Sequence, residues 1–382
     1  MEGEMWPALC YPAKTLMSAP APAPISISPP RAGRLVSLFI PQKTKLPVIQ
    51  GLRGIAAMAV CICHLTYGLP EYKSTFQGHF GHYGYLGVDV FFVISGFIVP
   101  YAMLTAGYQI RNIWTFLLKR MVRVEPPYLI SIVLSVLMWF SATGSSLYRG
   151  GAPRVTPLQL ALHLGYLIPF FPKYEWISGV YWSLAVEFQY YLSISLLFPL
   201  LVSRNTKVRM ATCLLFAASS LVLPQDRFLP ELAPLFVLGF MGMLRTIGLA
   251  SWKELLIVVP VCTALSYRTE WIYVTATGVA TLAVILFWKG MPAVLLWLGD
   301  ISYSLYLIHD MIGRRIVHLA ARFVPASFTV ALPIVAILLS ILCALIMFRL
   351  VELPVKQMAA KWRYRKEPVP LPTSALAGAA EA

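Results

Sequence analysis

Charged side chains are scarce in this chain. Asp, Glu, Lys and Arg make up 12% of its 382 residues, against roughly 25% in soluble globular domains, and that shortage excludes an ordinary soluble fold. Cysteine carries no metal or disulfide signal. Cys61, Cys63, Cys213, Cys262 and Cys343 lie inside apolar runs and Cys10 near the N-terminus, without zinc-type spacing, so neither bridges nor a metal site are expected. No GxSxG elbow, P-loop or HExxH occurs, which argues against serine hydrolysis, ATP-driven work and zinc chemistry. The first 44 residues hold no continuous apolar region followed by a cleavage site, so a secretory leader is not expected.

What is present is apolar. Hydrophobic residues make up 58% of the chain and the mean hydropathy is +0.72. Long apolar runs recur between short basic or Pro-rich pieces, the pattern of a polytopic all-α membrane bundle and not of a β-barrel's short alternating segments. Ten spans are predicted, at about 46–67, 85–106, 126–143, 181–202, 208–223, 229–248, 254–268, 271–288, 292–312 and 327–350. The fourteen-residue piece Leu158 to Phe171 is too short to span and reads as an interfacial or re-entrant helix. Three segments follow: a disordered Pro-rich tail over 1–44, with Met17 an alternative start, a membrane domain over 45–353, and a basic then Pro/Ala-rich tail over 354–382.

A net charge of +15 raises nucleic acid as a partner, but the basic residues are scattered through interhelical loops without interleaved aromatics. The lipid bilayer is the better partner, and nucleic acid is not expected. With ten spans and both termini inside, twenty basic residues fall on the inner face and nine on the outer, which sets the orientation in a plasma (inner) membrane. Arg314, Arg315 and Arg322 fall on the outer side against that trend. They mean either a function for that loop or misplaced final spans.

Several polar residues stand where a span should have none. Arg53 and His64 are eleven residues apart in the first span, so an α-helix puts them on one face, about 16 Å apart in depth. The small Ala57 and Cys61 lie between them. Small residues alone read as a packing face, but an arginine costs roughly 2.5 to 3.5 kcal/mol at the centre of a span, so its pairing with a histidine favours function. Asp89, Glu187 and His309, with Asp310 beside it, fall at the same outer depth as His64 on three other helices. Each alone could be a capped helix end or a snorkelling side chain. On the inner side Lys119, Arg120 and Arg123 sit within one turn before the third span. They are either an orientation signal or a phosphate seat. A nucleotide-bearing donor inside and a reactive histidine outside would need a thin arm between them. Trp182 and Tyr191, like neighbouring aromatics, suit an interfacial belt or a face for stacking on a sugar.

The stretches "GLRGIAAMAVCICHL", "GYLGVDVFFVISGFIV", "KRMVR", "YWSLAVEFQYYL" and "LGDISYSLYLIH", in this order, resemble the acyltransferase 3 family of membrane O-acyltransferases from about Leu46 to Leu353. The resemblance implies transfer of an acyl group, usually acetyl, from cytoplasmic acyl-CoA to a hydroxyl of an exported glycan or lipid-linked sugar, such as O-antigen, exopolysaccharide or a nodulation factor. It implies that Arg53 and His64 are essential and that Arg120 and Arg123 form the family's paired-arginine motif. The carboxylate of the "WSLxVE" motif falls on Glu187. No resident cofactor is implied, acyl-CoA being the donor substrate. Two departures from the family are that no fused C-terminal hydrolase-like domain is seen and that the Pro-rich N-terminal segment is unusual for it.

The expected chemistry follows. A sugar hydroxyl needs a base while a thioester is already activated, so His64 is the expected base, oriented by Glu187 or Asp89. Arg53 would bind the donor arm or the carbonyl oxygen. Arg120 and Arg123, with Lys119, would hold the phosphates and Trp182 and Tyr191 the acceptor, while His309 would either back the base or bind the acceptor. The alternative class is a proton-coupled transporter or flippase for a lipid-linked sugar, which would call for an internal repeat with interrupted helices. No self-similarity between the halves is found.

Overall fold

The structure, a computed structural model, describes residues 46–70, 72–143, 155–222, 227–320, 322–362 and 364, with only the backbone at 142, 326 and 327. The tail expected over 1–44 and the last eighteen residues lie outside the described residues.

Thirteen α-helices and no strands are found among the described residues. In chain order they are α1 (Pro47–Leu65), α2 (Phe76–Gly81), α3 (Gly87–Thr105), α4 (Ile113–Thr143), α5 (Pro157–Leu164), α6 (Trp182–Leu201) and α7 (Thr206–Val222). There follow α8 (Leu229–Thr246), α9 (Trp252–Thr269), α10 (Ile272–Phe287), α11 (Ala293–Ala320), α12 (Leu332–Met347) and α13 (Leu353–Lys361). All but α2, α5 and α13 coincide with the ten expected spans, and six helical stretches among the described residues are long and apolar enough to cross a bilayer. The chain is a polytopic helical membrane bundle. Its short helix α5 starts at Pro157, behind a Thr156 cap that accepts from the Gln159 amide, and it is eight residues long. At about 12 Å it cannot span.

Three boundaries differ from the sequence reading, and each matters to the site. The third span does not begin at residue 126, because α4 starts at Ile113 and runs through Pro126 and Pro127. Prolines remove intrahelical donors, here those that would serve the Val122 and Arg123 carbonyls, and a spanning helix tolerates them when it is packed against its neighbours. The Tyr303 hydroxyl of α11 donates to the Val124 carbonyl at 2.8 Å. The helical extension carries Arg120 and Arg123 into the bundle wall. The ninth helix, α11, continues to Ala320, so Arg314 and Arg315 are helical and not in a loop. Arg314 donates to Asp310, one turn earlier, and Arg315 to the Met138 carbonyl of α4. Finally, the fold does not stop at residue 353. A five-residue π-helical stretch, Phe348–Glu352, joins α12 to α13, and Lys356 forms a 2.6 Å ion pair with Glu352.

Close helix crossings set the register. A Cβ on Gly54 would meet the Gly299 amide at 2.8 Å and the Leu295 carbonyl at 2.6 Å. The Gln50 amide donates to the Leu296 carbonyl at 3.0 Å and to Asp300 at 2.8 Å. These contacts lock α1 against α11 backbone to backbone. The two helices run parallel, since Gly54 meets Gly299 near their starts and Leu65 meets Gly313 further on. A second crossing joins α3 to α8, where a Cβ on Gly239 would overlap the Val93 carbonyl and one on Gly96 the Phe236 carbonyl. Gly239→Val is therefore expected to destabilise the protein by about 1–3 kcal/mol through overpacking. Gly290→Val, where nothing lies within 4 Å, is the control. Thermal melting of the two variants in detergent checks this, with a clear drop in Tm expected for the first alone.

Buried side chains form two apolar clusters. One gathers Phe92, Phe97, Tyr190 and Phe236 from α3, α6 and α8. The other gathers Val60, Tyr128, Leu305 and Ala336 from α1, α4, α11 and α12. Val88 and Phe188 pack against both, and the polar cavities open along that seam.

Candidate active site

The parallel register fixes the central contact. Ten residues beyond the Gly54–Gly299 crossing on both helices come His64 and His309, and their rings meet with His309 Nε2 3.2 Å from His64 Nδ1. His309 is fully buried, and its Nδ1 lies 3.0 Å from the Leu305 carbonyl. A carbonyl can only accept, so Nδ1 carries the proton and the neutral ring's Nε2 is an acceptor. His64 Nδ1 must then be the donor between the rings. Asp310 Oδ1 stands 3.5 Å from the same nitrogen and is itself held by Arg314. This arrangement leaves the lone pair on His64 Nε2, and His64 lines an open cavity. An imidazole so arranged can take a proton at Nε2 while Asp310 faces the charge that forms.

That geometry corrects one sequence assignment, the partner of His64. The carboxylate beside His64 is Asp310 and not Glu187, whose oxygen accepts from the Ser95 hydroxyl at 3.0 Å and the Tyr191 hydroxyl at 2.6 Å in a different cavity. Asp89 shares the cavity with His64 but forms no hydrogen bond or ion pair with the ring, whose polar partners are His309 and Asp310. Of the two places expected for His309, behind the base or against the acceptor, it takes the first: it is buried behind His64 and lines neither cavity. The other fully buried histidine, His163, is a tether outside the spanning helices. Its Nδ1 donates to the Gln159 carbonyl at 2.8 Å, its Nε2 accepts from the Ile177 amide at 3.1 Å, and burial pushes its pKa down.

The first of two cavities, about 130 Å³, is cationic. Arg53 from α1, Arg120 and Arg123 from α4 and Lys356 from α13 line it, with Glu187 and Glu352 as the only carboxylates. Both acids are occupied. Glu187 holds the two hydroxyls named above, and Glu352 accepts from the Ser304 amide and hydroxyl and pairs with Lys356. Four cations against two acids leave a surplus of two positive charges. Among the described residues no carboxylate pairs with Arg53, Arg120 or Arg123. The Arg120 guanidinium lies over the rings of Phe116 and Tyr191 at 5.6 and 5.4 Å. An anion fits such a lining.

Lys119 does not belong to this set. It donates to the Trp362 carbonyl at 2.9 Å and lies over the Tyr364 ring. Consecutive helical residues diverge by about 100°, whereas the i, i+3 pair Arg120 and Arg123 shares a face. Lys356 takes the fourth place. It escaped the sequence reading because it falls past the assumed end of the domain, although its i, i+4 spacing from Glu352 was visible.

The second cavity, about 210 Å³, is acidic and aromatic. His64, Asp89, Glu231, Glu270, Arg227 and Trp182 line it, and the Arg227 guanidinium lies 5.7 Å from the centre of the Trp182 indole. Only Val88 and Tyr306 line both cavities. The Tyr306 hydroxyl donates to the Val180 carbonyl at 3.1 Å and meets the Ser183 hydroxyl at 2.6 Å. Arg53, Glu187 and Tyr191 thus face one side of this wall, and His64, Asp89 and Trp182 the other.

Known proteins resemble this chain in sequence. "Acyltransferase MdmB" of Streptomyces mycarofaciens is 26% identical over 72% of this chain and 80% of its own length. "O-acetyltransferase OatA" of Staphylococcus aureus is 25% identical over 86% of this chain, which spans 60% of that protein. "Peptidoglycan O-acetyltransferase OatA" of Listeria monocytogenes is 29% identical over 38% of this chain and 23% of its own length. No solved structure matches. The model of the acyltransferase 3 family, described as an acyltransferase domain, matches residues 46–349, from the first turn of α1 into the π-helical stretch before α13. The chain belongs to that family and is a membrane-embedded acyltransferase.

Proposed function

We propose that the protein is a membrane O-acyltransferase that moves an acyl group, acetyl first among the candidates, from acyl-CoA to a hydroxyl of a glycan or lipid-linked sugar. The observation that carries this reading is the juxtaposition of two unlike cavities. A cationic one with unpaired arginines and an acidic one holding His64 meet only at Val88 and Tyr306. The names of the Staphylococcus and Listeria relatives support oxygen as the acceptor atom and acetyl as the group.

In this reading the donor enters from the cytoplasm, at the end where Arg53, Arg120, Arg123 and Lys356 lie. The narrow cavity suits a thin thioester arm, while phosphates meet the guanidinium groups at its mouth. The sugar occupies the other cavity, where carboxylates accept from its hydroxyls and Trp182 offers a stacking face. His64 Nε2 removes the proton from the attacking hydroxyl, whose oxygen bonds to the thioester carbonyl carbon. The C–S bond then breaks, and the departing thiolate takes the proton from the imidazolium. Asp310 stabilises the imidazolium between these steps. Asp89 acts on the acceptor and not through His64, and Glu187 keeps the Tyr191 and Ser95 side of the donor cavity in place. Both termini lie in the cytoplasm of an inner-membrane protein.

Mass spectrometry of exported glycans from cells with the protein, without it, and with His64→Ala at equal protein level tests the reading. An increment that mild alkali removes is expected in the first sample alone. Identical spectra in all three would sink the proposal, and the mass and position of the increment would name group and acceptor.

A further inference from the structure

A third cavity, about 610 Å³, lies between the α6–α7 and α8–α9 turns at the arginine end of the bundle and shares no lining residue with the other two. Its floor is internally satisfied. Buried Arg209 donates to Glu254 through two nitrogens at 3.1 and 2.6 Å, to the Ser203 carbonyl at 2.5 Å and to the Thr206 hydroxyl at 3.2 Å. The other Glu254 oxygen accepts from the amide and hydroxyl of Ser251, the cap of α9, at 3.1 and 3.2 Å. That pair cancels in charge. Above it stand Arg204 and Arg245, which meet no carboxylate among the described residues.

Arg245 is built into place. Its Nε is buried without a hydrogen-bond partner, a state that calls for an acceptor. Its guanidinium lies 4.6 Å from the centre of the Trp252 ring, and Trp252 stacks on Phe287 with 5° between the ring planes. Both rings are exposed, Trp252 by 46% and Phe287 by 68%. Exposed aromatic side chains at helix ends mark the level where lipid meets water. Loop charge alone explains basic residues here. It does not explain a roomy cavity with a rigid neutral floor, two guanidinium groups lacking an acid and one buried donor lacking an acceptor.

We infer that this cavity binds the phosphate of an anionic phospholipid headgroup, with Arg204 and Arg245 as its ligands and the Trp252–Phe287 pair against the upper acyl chains. Guanidinium takes a phosphate through paired donors, and the position at the bilayer surface selects a lipid over a soluble anion. The inference does not rest on the acyl-transfer reading.

Native mass spectrometry of the full chain in detergent tests it, with phosphatidylglycerol, phosphatidylcholine or inorganic phosphate added. Phosphatidylglycerol is expected to be retained several-fold over phosphatidylcholine. Arg204→Gln with Arg245→Gln should lower that retention about tenfold, and Arg245→Lys alone should keep part of it. On the unaltered protein, retention should fall as salt is raised, a readout that needs no variant to fold. Equal retention of the two lipids, retention unchanged by salt or by the double substitution, or displacement of phosphatidylglycerol by equimolar inorganic phosphate would each overturn the lipid assignment.

Discussion

Replacing His64 by alanine is expected to lower acyl transfer about 10²–10⁴-fold, the range for loss of a positioned general base, while leaving acyl-CoA binding unchanged. The separation of cavities explains why one parameter moves without the other: His64 lines the acidic cavity and not its neighbour, and Arg53, Arg120, Arg123 and Lys356 line the neighbour and not the acidic cavity. Asp310→Asn should give an intermediate loss. It keeps the volume beside His64 Nδ1 but removes the charge that faces the imidazolium, and it releases Arg314, which Asp310 now holds. His309→Gln, which can still accept from His64, should lose less than His309→Leu, which cannot. Single-turnover transfer and donor binding measured on the same preparations check the set. If His64→Ala transferred at the unaltered rate, or if its loss were all in donor affinity, the base would lie elsewhere.

Removing the paired arginines is expected to act in the opposite way. Arg120→Ala combined with Arg123→Ala should weaken acyl-CoA binding by about 10²-fold or more, since each charge-assisted contact contributes roughly 1.5–3 kcal/mol. Binding should lose much of its salt dependence as well. The rate at saturating donor should change far less. Arg123→Lys should recover less than charge alone predicts, because an ammonium does not reproduce a bidentate fork. Lys119→Ala is the internal control. Its ammonium is bonded to the Trp362 carbonyl away from the cavity, so donor affinity should hold. Isothermal titration with acyl-CoA at two salt concentrations decides the matter. Equal losses from Lys119→Ala and from the double variant would mean that loop charge in general, and not this seat, attracts the donor.

The helices were legible because a bilayer demands long apolar segments: the ten read from the sequence all coincide with helices, and six helical stretches among the described residues are long and apolar enough to cross it. Their ends were less so. Pro126 and Pro127 look like a helix start, and nothing local shows that α4 runs through both and is met there by Tyr303 of another helix. Arg314 and Arg315 look like loop residues until Asp310 and the Met138 carbonyl meet them. In the site, helical periodicity on its own puts Arg53 and His64 on one face and joins Arg120 to Arg123. The neighbours of His64 were not readable that way. His309 is 245 residues distant in sequence, and nothing local says which side of α11 turns toward α1. Depth in the membrane grouped Glu187 with His64, but depth carries no information on azimuth, and Glu187 faces the other cavity. Lys356 was lost for a simpler reason, since composition alone assigned it to a tail.

The crossing of α1 and α11 at Gly54 and Gly299 has a mechanical consequence. Both helices are stiff rods that leave this point side by side, so any slip there is delivered undiminished ten residues on. One helical turn of slip is about 5.4 Å, enough to part His64 from His309. Proton transfer therefore depends on a clamp at the opposite end of the rods, and a bulky residue at Gly54 should behave as a lesion of the histidines themselves, although it touches neither.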